Sequence, residues 1–153
     1  MESLHIRKAR FQDIETLLGF EQGVISAERP FDPTLKDHPT HYYALREMIV
    51  DPEVHLLVGE VDGRVIASGY ARIKKAKPYL KHETYAYLGF MYVLPEYRGK
   101  GVNAKIIEAL SDWARTKGLS EARLEVYYKN EHAIRAYEKT GFSAHMIEMR
   151  KPL

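Results

Sequence analysis

The chain has 153 residues, 45% of them hydrophobic and 29% charged, a balance typical of a single soluble globular domain. Its formal net charge of +2 is too small for the broad basic surface that nucleic-acid binding needs, so we expect no nucleic-acid partner. The absence of cysteine excludes disulfides, thiolate metal sites and a cysteine nucleophile. We expect one domain over residues 1–153.

The apolar stretches of the chain are short. None reaches the ~20 residues that a membrane-spanning helix needs, and residues 1–7 lack the apolar core of a secretion signal. We therefore expect a cytoplasmic protein with no membrane partner. His38 and His41 are separated by Pro39, and no third ligand is evident, so we also expect no metal site.

The first third of the chain predicts one strand and two helices. Residues 4–9 alternate between apolar and polar and predict a strand, and Asp13 could cap a helix that runs to about Ser26. A loop rich in proline follows at 28–39. Helical spacing of apolar residues then predicts a second helix at 40–50.

Three antiparallel strands are predicted next. Strands at 55–61 and 64–73 flank Asp62-Gly63, a strong signal for a tight hairpin. A turn at 77–82 leads to a long aromatic strand at 84–94.

The last third predicts a helix ending near Gly118, a strand at 121–128, a helix at 130–140 and a final strand at 143–149. The element order is therefore β-α-α-β-β-β-α-β-α-β. This order predicts an α/β fold with a mixed, mostly antiparallel sheet around one parallel pair, and with helices on both faces.

The strand that ends at Leu94 runs into the turn Gly99-Lys100-Gly101, from which a helix starts. Pro95 lacks a backbone donor and ends the strand, and the glycines allow a tight turn. The free N–H groups at the helix start, together with Arg98 and Lys100, make an anion site sized for a phosphate or pyrophosphate.

Two common phosphate-binding motifs fit this turn poorly. A nucleotide P-loop needs a Ser or Thr after its Gly-Lys, whereas Gly101 follows here. A dinucleotide-binding turn needs a third glycine where Ala104 stands, and it needs a parallel sheet rather than three antiparallel strands upstream. On the glycine turn alone, an ordinary strand-to-helix turn remains an alternative.

A second motif lies downstream, Asn130-x-x-Ala133-x-x-x-Tyr137-x-x-x-Gly141-Phe142. Together with Arg98-x-x-Gly101 and the Tyr-Val-Leu-Pro-Glu-Tyr sequence at 92–97, it resembles the GNAT N-acetyltransferase superfamily. The resemblance covers nearly the whole chain in element order, and its specific motifs lie within 92–142. It implies direct transfer of an acetyl group from acetyl-CoA, as co-substrate, to an amine.

The resemblance also implies a site. Acetyl-CoA would lie in a V-shaped opening between the strand before the turn and the strand after the following helix, with Tyr137 as the general acid that protonates the departing thiolate. The residues implied to bind the cofactor are Met91, Tyr92 and Val93 at the pantetheine, Arg98, Gly99, Lys100, Gly101, Val102 and Asn103 at the pyrophosphate, and Asn130 and Ala133 on the next helix.

This sequence departs from the family pattern at two places. Asn103 stands where Gly or Ala is usual, and the stretch 88–91 lacks the carboxylate that often serves as general base. Candidates for the base are Glu83, Glu21, Glu28 or a chain of waters. Alternatively, the acceptor is a weaker base that needs little help.

The acceptor amine could belong to a small molecule or to a protein. A cationic amine could be attracted by the carboxylates of Glu21, Glu28 and Asp32. An acidic substrate could equally be attracted by the basic side chains of Arg29, Arg72, Lys74 and Lys75. A homodimer is possible. The missing carboxylate leaves a non-catalytic acyl-CoA binding or sensing domain as the alternative function.

Overall fold

The computed structural model describes residues 3–37 and 40–153, and within these ranges it shows one five-stranded sheet with helices on both faces. The strands are β1 His5–Lys8, β2 Val54–Val61, β3 Arg64–Lys75, β4 Thr84–Val93 and β5 Ala122–Arg123. The helices are α1 Ile14–Glu28, α2 Leu45–Val50, α3 Val102–Thr116 and α4 Glu131–Glu138. His38 and Pro39, considered above for a metal site, lie outside the described residues.

The strands are ordered β1-β2-β3-β4-β5 across the sheet. The first three pairs are antiparallel, and β4 pairs with β5 in parallel. The predicted hairpin is confirmed, because Asp62 and Gly63 have φ angles of 51° and 75° and lie between the paired residues Val61 and Arg64. The predicted mixed sheet around a parallel pair is therefore confirmed.

Two apolar cores lie on opposite faces of the sheet. Leu57 of β2 packs on one face with Ile106 and Leu110 of α3. The neighbouring Leu56 packs on the other face with Leu17 of α1. Successive side chains of a strand point to opposite faces, so β2 is apolar at consecutive positions because both faces are covered.

An ion-pair network joins the first strand to the start of α1. Arg7 donates to Asp13 at 2.8 Å and to Glu60 of β2 at 3.0 Å. Asp13 is the N-cap residue of α1, as predicted, but its side chain makes no cap hydrogen bond to this helix. Its carboxylate instead accepts the backbone N–H of Arg10 at 2.7 Å. It thereby closes the 3₁₀ turn Phe11–Asp13, which leads directly into α1 at Ile14.

The second helix is shorter than predicted, since it begins at Leu45 rather than near residue 40. The reason is a tertiary contact with α1. The fully buried carboxylate of Glu21 accepts the backbone N–H groups of Tyr42 and Tyr43 at 2.8 and 2.9 Å. These N–H groups therefore bond to a side chain of α1, and the segment before Leu45 lies outside the second helix.

The last two predicted strands require correction. The strand predicted at 121–128 contains only the two residues Ala122 and Arg123. Residues 143–149 were predicted to form a strand, but the structure assigns none there, and Met146 and Met149 are exposed. Alternating apolar residues form a strand only beside a partner edge, and β5 is too short to provide one.

Candidate active site

A β-bulge interrupts β4 in front of the glycine turn. Tyr70 of β3 pairs with Gly89, whereas Ser68 pairs with Tyr92, so β4 has one extra residue at this point. Phe90, within the bulge, has a φ angle of 55°, which is uncommon for a bulky residue. A bulge bends its strand, and the pairing of β4 with β5 ends at Tyr87, before the bulge.

The bulge reverses which backbone groups face the gap between β4 and β5. Before it, the Ala86 N–H donates to the Glu121 carbonyl at 2.9 Å, on the β5 side. After it, the Leu94 N–H donates to the Ile66 carbonyl of β3 at 2.9 Å. Because alternate residues of a strand bond to opposite sides, Met91 and Val93 face the gap. Tyr92, the third residue predicted at the pantetheine, pairs with β3.

The glycine turn has the form that the sequence predicts. Gly99 and Gly101 have φ angles of 75° and 79°, and a Cβ on either would meet open space. Gly101 is the N-cap of α3, and its carbonyl accepts the N–H of Lys105 at 3.2 Å. The first N–H groups of α3 have no partner within the helix, which suits a phosphate.

The side chains around the turn divide into buried and exposed groups. Val102 is 2% exposed and packs in the core, so only its backbone N–H can serve a ligand. Lys100 is exposed, whereas Arg98 donates through Nε to the Val93 carbonyl at 2.8 Å. Among the described residues, Asn103 has a buried Oδ1 without a hydrogen-bond partner.

Asn130 and Ala133 begin α4. The Asn130 side chain is the N-cap of this helix and accepts the Ala133 N–H through Oδ1 at 3.2 Å. Its amide nitrogen is a separate donor, so the cap does not use every atom that a ligand could bind.

Tyr137 of α4 reaches the gap between β4 and β5. A cavity of about 120 Å³ lies there, and Tyr137, Glu28, Glu125 and Met91 are among its lining residues. The cavity extends along the bulge from Leu88 through Phe90. The structure thus brings the predicted acid to the bulged strand and adds a carboxylate from α1.

Burial governs the electrostatics of this cavity. It raises the pKa of the Glu28 carboxyl, an effect that a hydrogen bond from Tyr42 partly offsets. It also raises the pKa of the Tyr137 hydroxyl, and the negative charge of Glu28 adds to this rise. Tyr43 and Tyr87, which also line the cavity, have raised pKa values for the same main reason.

The other candidates for the base are placed less well. Glu21 is fully buried and holds Tyr42, Tyr43 and the His41 ring, which lies 2.7 Å from its Oε1. Glu83 is exposed beside the 77–82 turn, at the end of β4 that lies away from the bulge. Glu125, which we did not predict, lines the cavity and accepts the Tyr87 hydroxyl at 2.8 Å.

Asp32 fixes the proline loop against the segment after β5. Its carboxylate accepts the Tyr127 hydroxyl at 2.9 Å and the Thr34 N–H at 2.9 Å. Hydrogen bonds from Thr34 are the main reason that the pKa of Asp32 is lowered. Phe31 stacks on Tyr127 with ring centroids 6.1 Å apart. Asp32 therefore has a structural role in placing the loop that follows Glu28.

Two of the four basic side chains considered for an acidic substrate contact other parts of the protein. Arg29 donates to the Lys36 carbonyl at 2.6 Å, and Arg72 lies 3.8 Å from the Asp51 carboxylate. Lys74 Nζ lies 3.9 Å from the centroid of the Tyr87 ring, and Tyr87 lines the cavity. Lys75 is exposed. Among the described residues that line the cavity, the charged ones are the two carboxylates.

A larger concavity of about 390 Å³ lies elsewhere, around Arg7 and Arg64. Its carboxylates, Asp13 and Glu60, are already paired with Arg7. Across residues 3–37 and 40–153 we find no cluster of three or more side chains suited to hold a metal ion. Over the same ranges no helix has the length and apolarity to cross a membrane.

Known proteins are similar to this chain in sequence and in fold. A family model described as the acetyltransferase (GNAT) family matches residues 22–142. Thialysine N-epsilon-acetyltransferase of Mus musculus is 31% identical over 156 residues, which cover 92% of this chain and 85% of that protein.

Two solved structures have the same fold. A mutant of a Bacillus halodurans protein superposes with a TM-score of 0.88 at 19% identity, covering 97% of this chain and 99% of the other. A predicted acetyltransferase from Clostridium acetobutylicum, solved with acetyl-CoA, has a TM-score of 0.78 at 18% identity and covers 97% and 96% of the two chains.

The family model spans most of the chain, including the bulged strand, the glycine turn and the helix of Tyr137. The chain therefore belongs to the GNAT family of acetyl-CoA-dependent N-acetyltransferases.

Proposed function

We propose that this enzyme transfers the acetyl group of acetyl-CoA directly to a cationic alkyl amine, with Glu28 as general base and Tyr137 as general acid. The observation that carries the proposal is the shared cavity. Glu28 and Tyr137 line the same small cavity at the open edge of β4, although they come from helices more than a hundred residues apart in the chain.

The residues of the opening fit acetyl-CoA, which supplies a thioester as the acetyl donor. Met91 and Val93 would bond the pantetheine through backbone groups that face the gap. The turn from Arg98 to Asn103 would hold the pyrophosphate at the start of α3. The buried Oδ1 of Asn103 is an acceptor and would repel a phosphate, so the contribution of Asn103 would come from its backbone N–H or amide nitrogen.

Glu28 would serve as the general base that removes the proton of the amine. An alkyl amine with a pKa near 10.4 is neutral in only about one molecule in 2,500 at pH 7. Burial raises the pKa of Glu28 and so makes its carboxylate a stronger base than an exposed glutamate. The missing carboxylate of β4 would thus be replaced from α1.

Tyr137 would provide a proton to the leaving sulfur. Its raised pKa keeps the hydroxyl protonated at neutral pH. In water, transfer from a phenol of pKa about 10 to a thiolate whose acid has a pKa of about 8.5 is slightly uphill. Burial raises the pKa of a thiol as well, and the negative charge of Glu125 nearby would raise it further, so the thiolate would be a stronger base in the cavity than in water.

The charge of the cavity supports a cationic acceptor. Glu28 and Glu125 would attract an ammonium group, and they are the charged residues among those described that line the cavity. The Mus musculus relative is named for acetylation of the ε-nitrogen of thialysine, which agrees with a primary alkyl amine. Both a small molecule and a protein lysine present such an amine.

An acceptor screen tests this proposal. CoA release from acetyl-CoA would be followed with alkyl amines, lysine analogues, aromatic amines and anionic amines, and we expect the cationic alkyl amines to react best. Exclusive use of aromatic or anionic amines would contradict the assigned acceptor class. Binding of acetyl-CoA with no release by any amine would favour the non-catalytic acyl-CoA binding domain. Homodimerisation and a cytoplasmic location stay predictions.

A further inference from the structure

Ser68 of β3 makes a buried hydrogen bond to the bulge. Its side chain is fully buried, and its Oγ donates to the carbonyl oxygen of Phe90 at 2.9 Å. A bulge interrupts the regular ladder, and a buried carbonyl needs a donor from another source. Ser68 provides that donor at the residue with the left-handed backbone, Phe90.

The geometry of the peptide bond extends this contact to the gap. The Phe90–Met91 peptide bond is trans, so the Phe90 carbonyl and the Met91 N–H point in opposite directions. The carbonyl points to Ser68 on the β3 side. The Met91 N–H therefore points away from β3, towards the edge where β5 no longer pairs and where Met91 lines the cavity with Glu28 and Tyr137.

We infer that Ser68 is a positioning residue for acetyl transfer: it holds the Phe90–Met91 peptide so that the Met91 N–H can donate to the thioester carbonyl. This inference rests on the proposed function. A hydrogen bond at the carbonyl end of a peptide also strengthens the donor at its N–H end. Ser68 would thus both aim and polarise the donor without touching the substrate.

The neutral amine attacks the thioester carbon, and the carbonyl electron pair moves onto the oxygen, where the Met91 N–H stabilises the negative charge. When the carbonyl re-forms, the C–S bond breaks and its electron pair leaves with sulfur, which takes a proton from Tyr137. The proton that the attacking nitrogen releases goes to Glu28, which has by then passed the proton of the original ammonium group to solvent. A proton from Glu28 then restores Tyr137 through solvent, and the products are the amide and CoA.

Infrared spectroscopy and kinetics test this role together. Acetyl-CoA labelled with ¹³C at the carbonyl would be bound without amine to the wild type, Ser68→Ala and Ser68→Cys. Ser111→Ala is a matched control, because Ser111 Oγ also donates to a backbone carbonyl, that of Ile107 at 2.8 Å, but within α3. The affinity for CoA, which lacks the carbonyl, would be measured for each protein.

We expect the wild type to lower the carbonyl stretching frequency of bound acetyl-CoA, and Ser68→Ala to return it towards the value in water. In the same variant kcat should fall roughly tenfold to a hundredfold with little change in CoA affinity. Ser68→Cys keeps the size of the side chain and has a weaker donor, so its carbonyl frequency and kcat should lie between those of the wild type and Ser68→Ala. If Ser68→Ala does not fold, Ser68→Cys provides the test. Ser111→Ala should behave as the wild type.

An unchanged carbonyl frequency in both Ser68 variants, or a loss of kcat matched by an equal loss of CoA affinity, would overturn the role of Ser68. A wild type that does not bind acetyl-CoA would instead refute the proposed function itself. The two failures are therefore distinguishable.

Discussion

The ring of Tyr70 occupies the space into which a side chain at Gly89 would project. A Cβ built on Gly89 would lie 2.7 Å from Cε1 of Tyr70, well inside van der Waals contact. The Tyr70 ring is held by Tyr43 and Tyr87, with centroids 6.0 and 6.3 Å away. The tyrosine of β3 therefore leaves no room for a side chain at Gly89. A carboxylate is not accommodated at this position, and a base would come from another element.

Gly89→Ala should destabilise the protein because the added methyl group must displace a packed ring. We expect a loss of about 1–3 kcal/mol in the free energy of unfolding, measured by urea denaturation. Gly19→Ala is the matched control, since a Cβ on Gly19 meets nothing within 4 Å in an α-helix. It should leave stability unchanged or raise it by about 0.5–1 kcal/mol. Equal stability of the two variants would contradict the crowding at Gly89.

Glu28→Gln should lower kcat at least tenfold with a cationic alkyl amine, since a general base contributes about 10²–10⁴-fold. In the wild type, kcat should rise with pH as Glu28 loses its proton, and the rise should lie above the ordinary glutamate pKa of 4.5. The variant should lose this rise, as measured in pH profiles at saturating substrate. Glu15→Gln changes an exposed carboxylate of the same helix and should keep the wild-type profile.

The same substitution should raise stability at neutral pH. The folded-state pKa of Glu28 lies above its unfolded value, so the folded protein prefers the protonated carboxyl. The protonated carboxyl of Glu28 contributes its full share to the free energy of unfolding below the unfolded pKa of 4.5, and this share is lost as pH rises through the folded pKa. Glu28→Gln should therefore melt at a higher temperature than the wild type at pH 7, and at nearly the same temperature at pH 4. A lower melting temperature at pH 7 would show that the carboxylate stabilises the fold.

Tyr137→Phe should reduce kcat at least tenfold while the affinity for acetyl-CoA changes little, because only the proton donor is removed. The raised pKa of Tyr137 means that the wild type should show no loss of kcat below about pH 10 from ionisation of this group. Stopped-flow measurement of CoA release gives both quantities. Tyr128→Phe, at a residue that is 73% exposed, should have no effect. Full turnover by Tyr137→Phe would exclude this residue as the acid.

Asp13→Asn should destabilise the fold by about 2–3 kcal/mol at pH 7, because it weakens the bonds to Arg7 and to the Arg10 N–H. The pKa of Asp13 is lowered, mainly by the hydrogen bond from Arg7. Its stabilisation is thus present above the unfolded pKa of 3.8 and is lost as pH falls through the folded pKa. The difference between the two proteins in urea denaturation should shrink below pH 3.8.

The exposed pair of Arg115 and Asp112 provides the comparison, since both side chains are about two-thirds exposed. Asp112→Asn should change stability by less than about 0.5 kcal/mol. A similar loss of stability in Asp13→Asn and Asp112→Asn would mean that burial does not increase the stabilisation by the Arg7 network.

Local chemistry was sufficient to predict much of the fold. Glycines with positive φ, the Asp62-Gly63 hairpin and the Asn130 cap follow from conformational freedom and short-range hydrogen bonds, which sequence patterns record directly. The late start of α2 was missed because Glu21 takes backbone N–H groups from a distant segment. The final strand was wrongly predicted because alternation does not reveal whether a partner edge exists.

The sequence by itself determined the family, the anion-binding turn and the candidate acid, because each depends on residue types at fixed spacing along one stretch. It left four options for the base. Only the tertiary structure favoured Glu28, because the bend of β4, the burial of Glu28 and the presence of α1 and α4 residues at one cavity depend on contacts between distant parts of the chain. It also showed that β4 is bulged at Phe90, where Ser68 donates a hydrogen bond to the Phe90 carbonyl and the N–H of the next residue faces the gap between β4 and β5. No local pattern records such a contact between neighbouring strands.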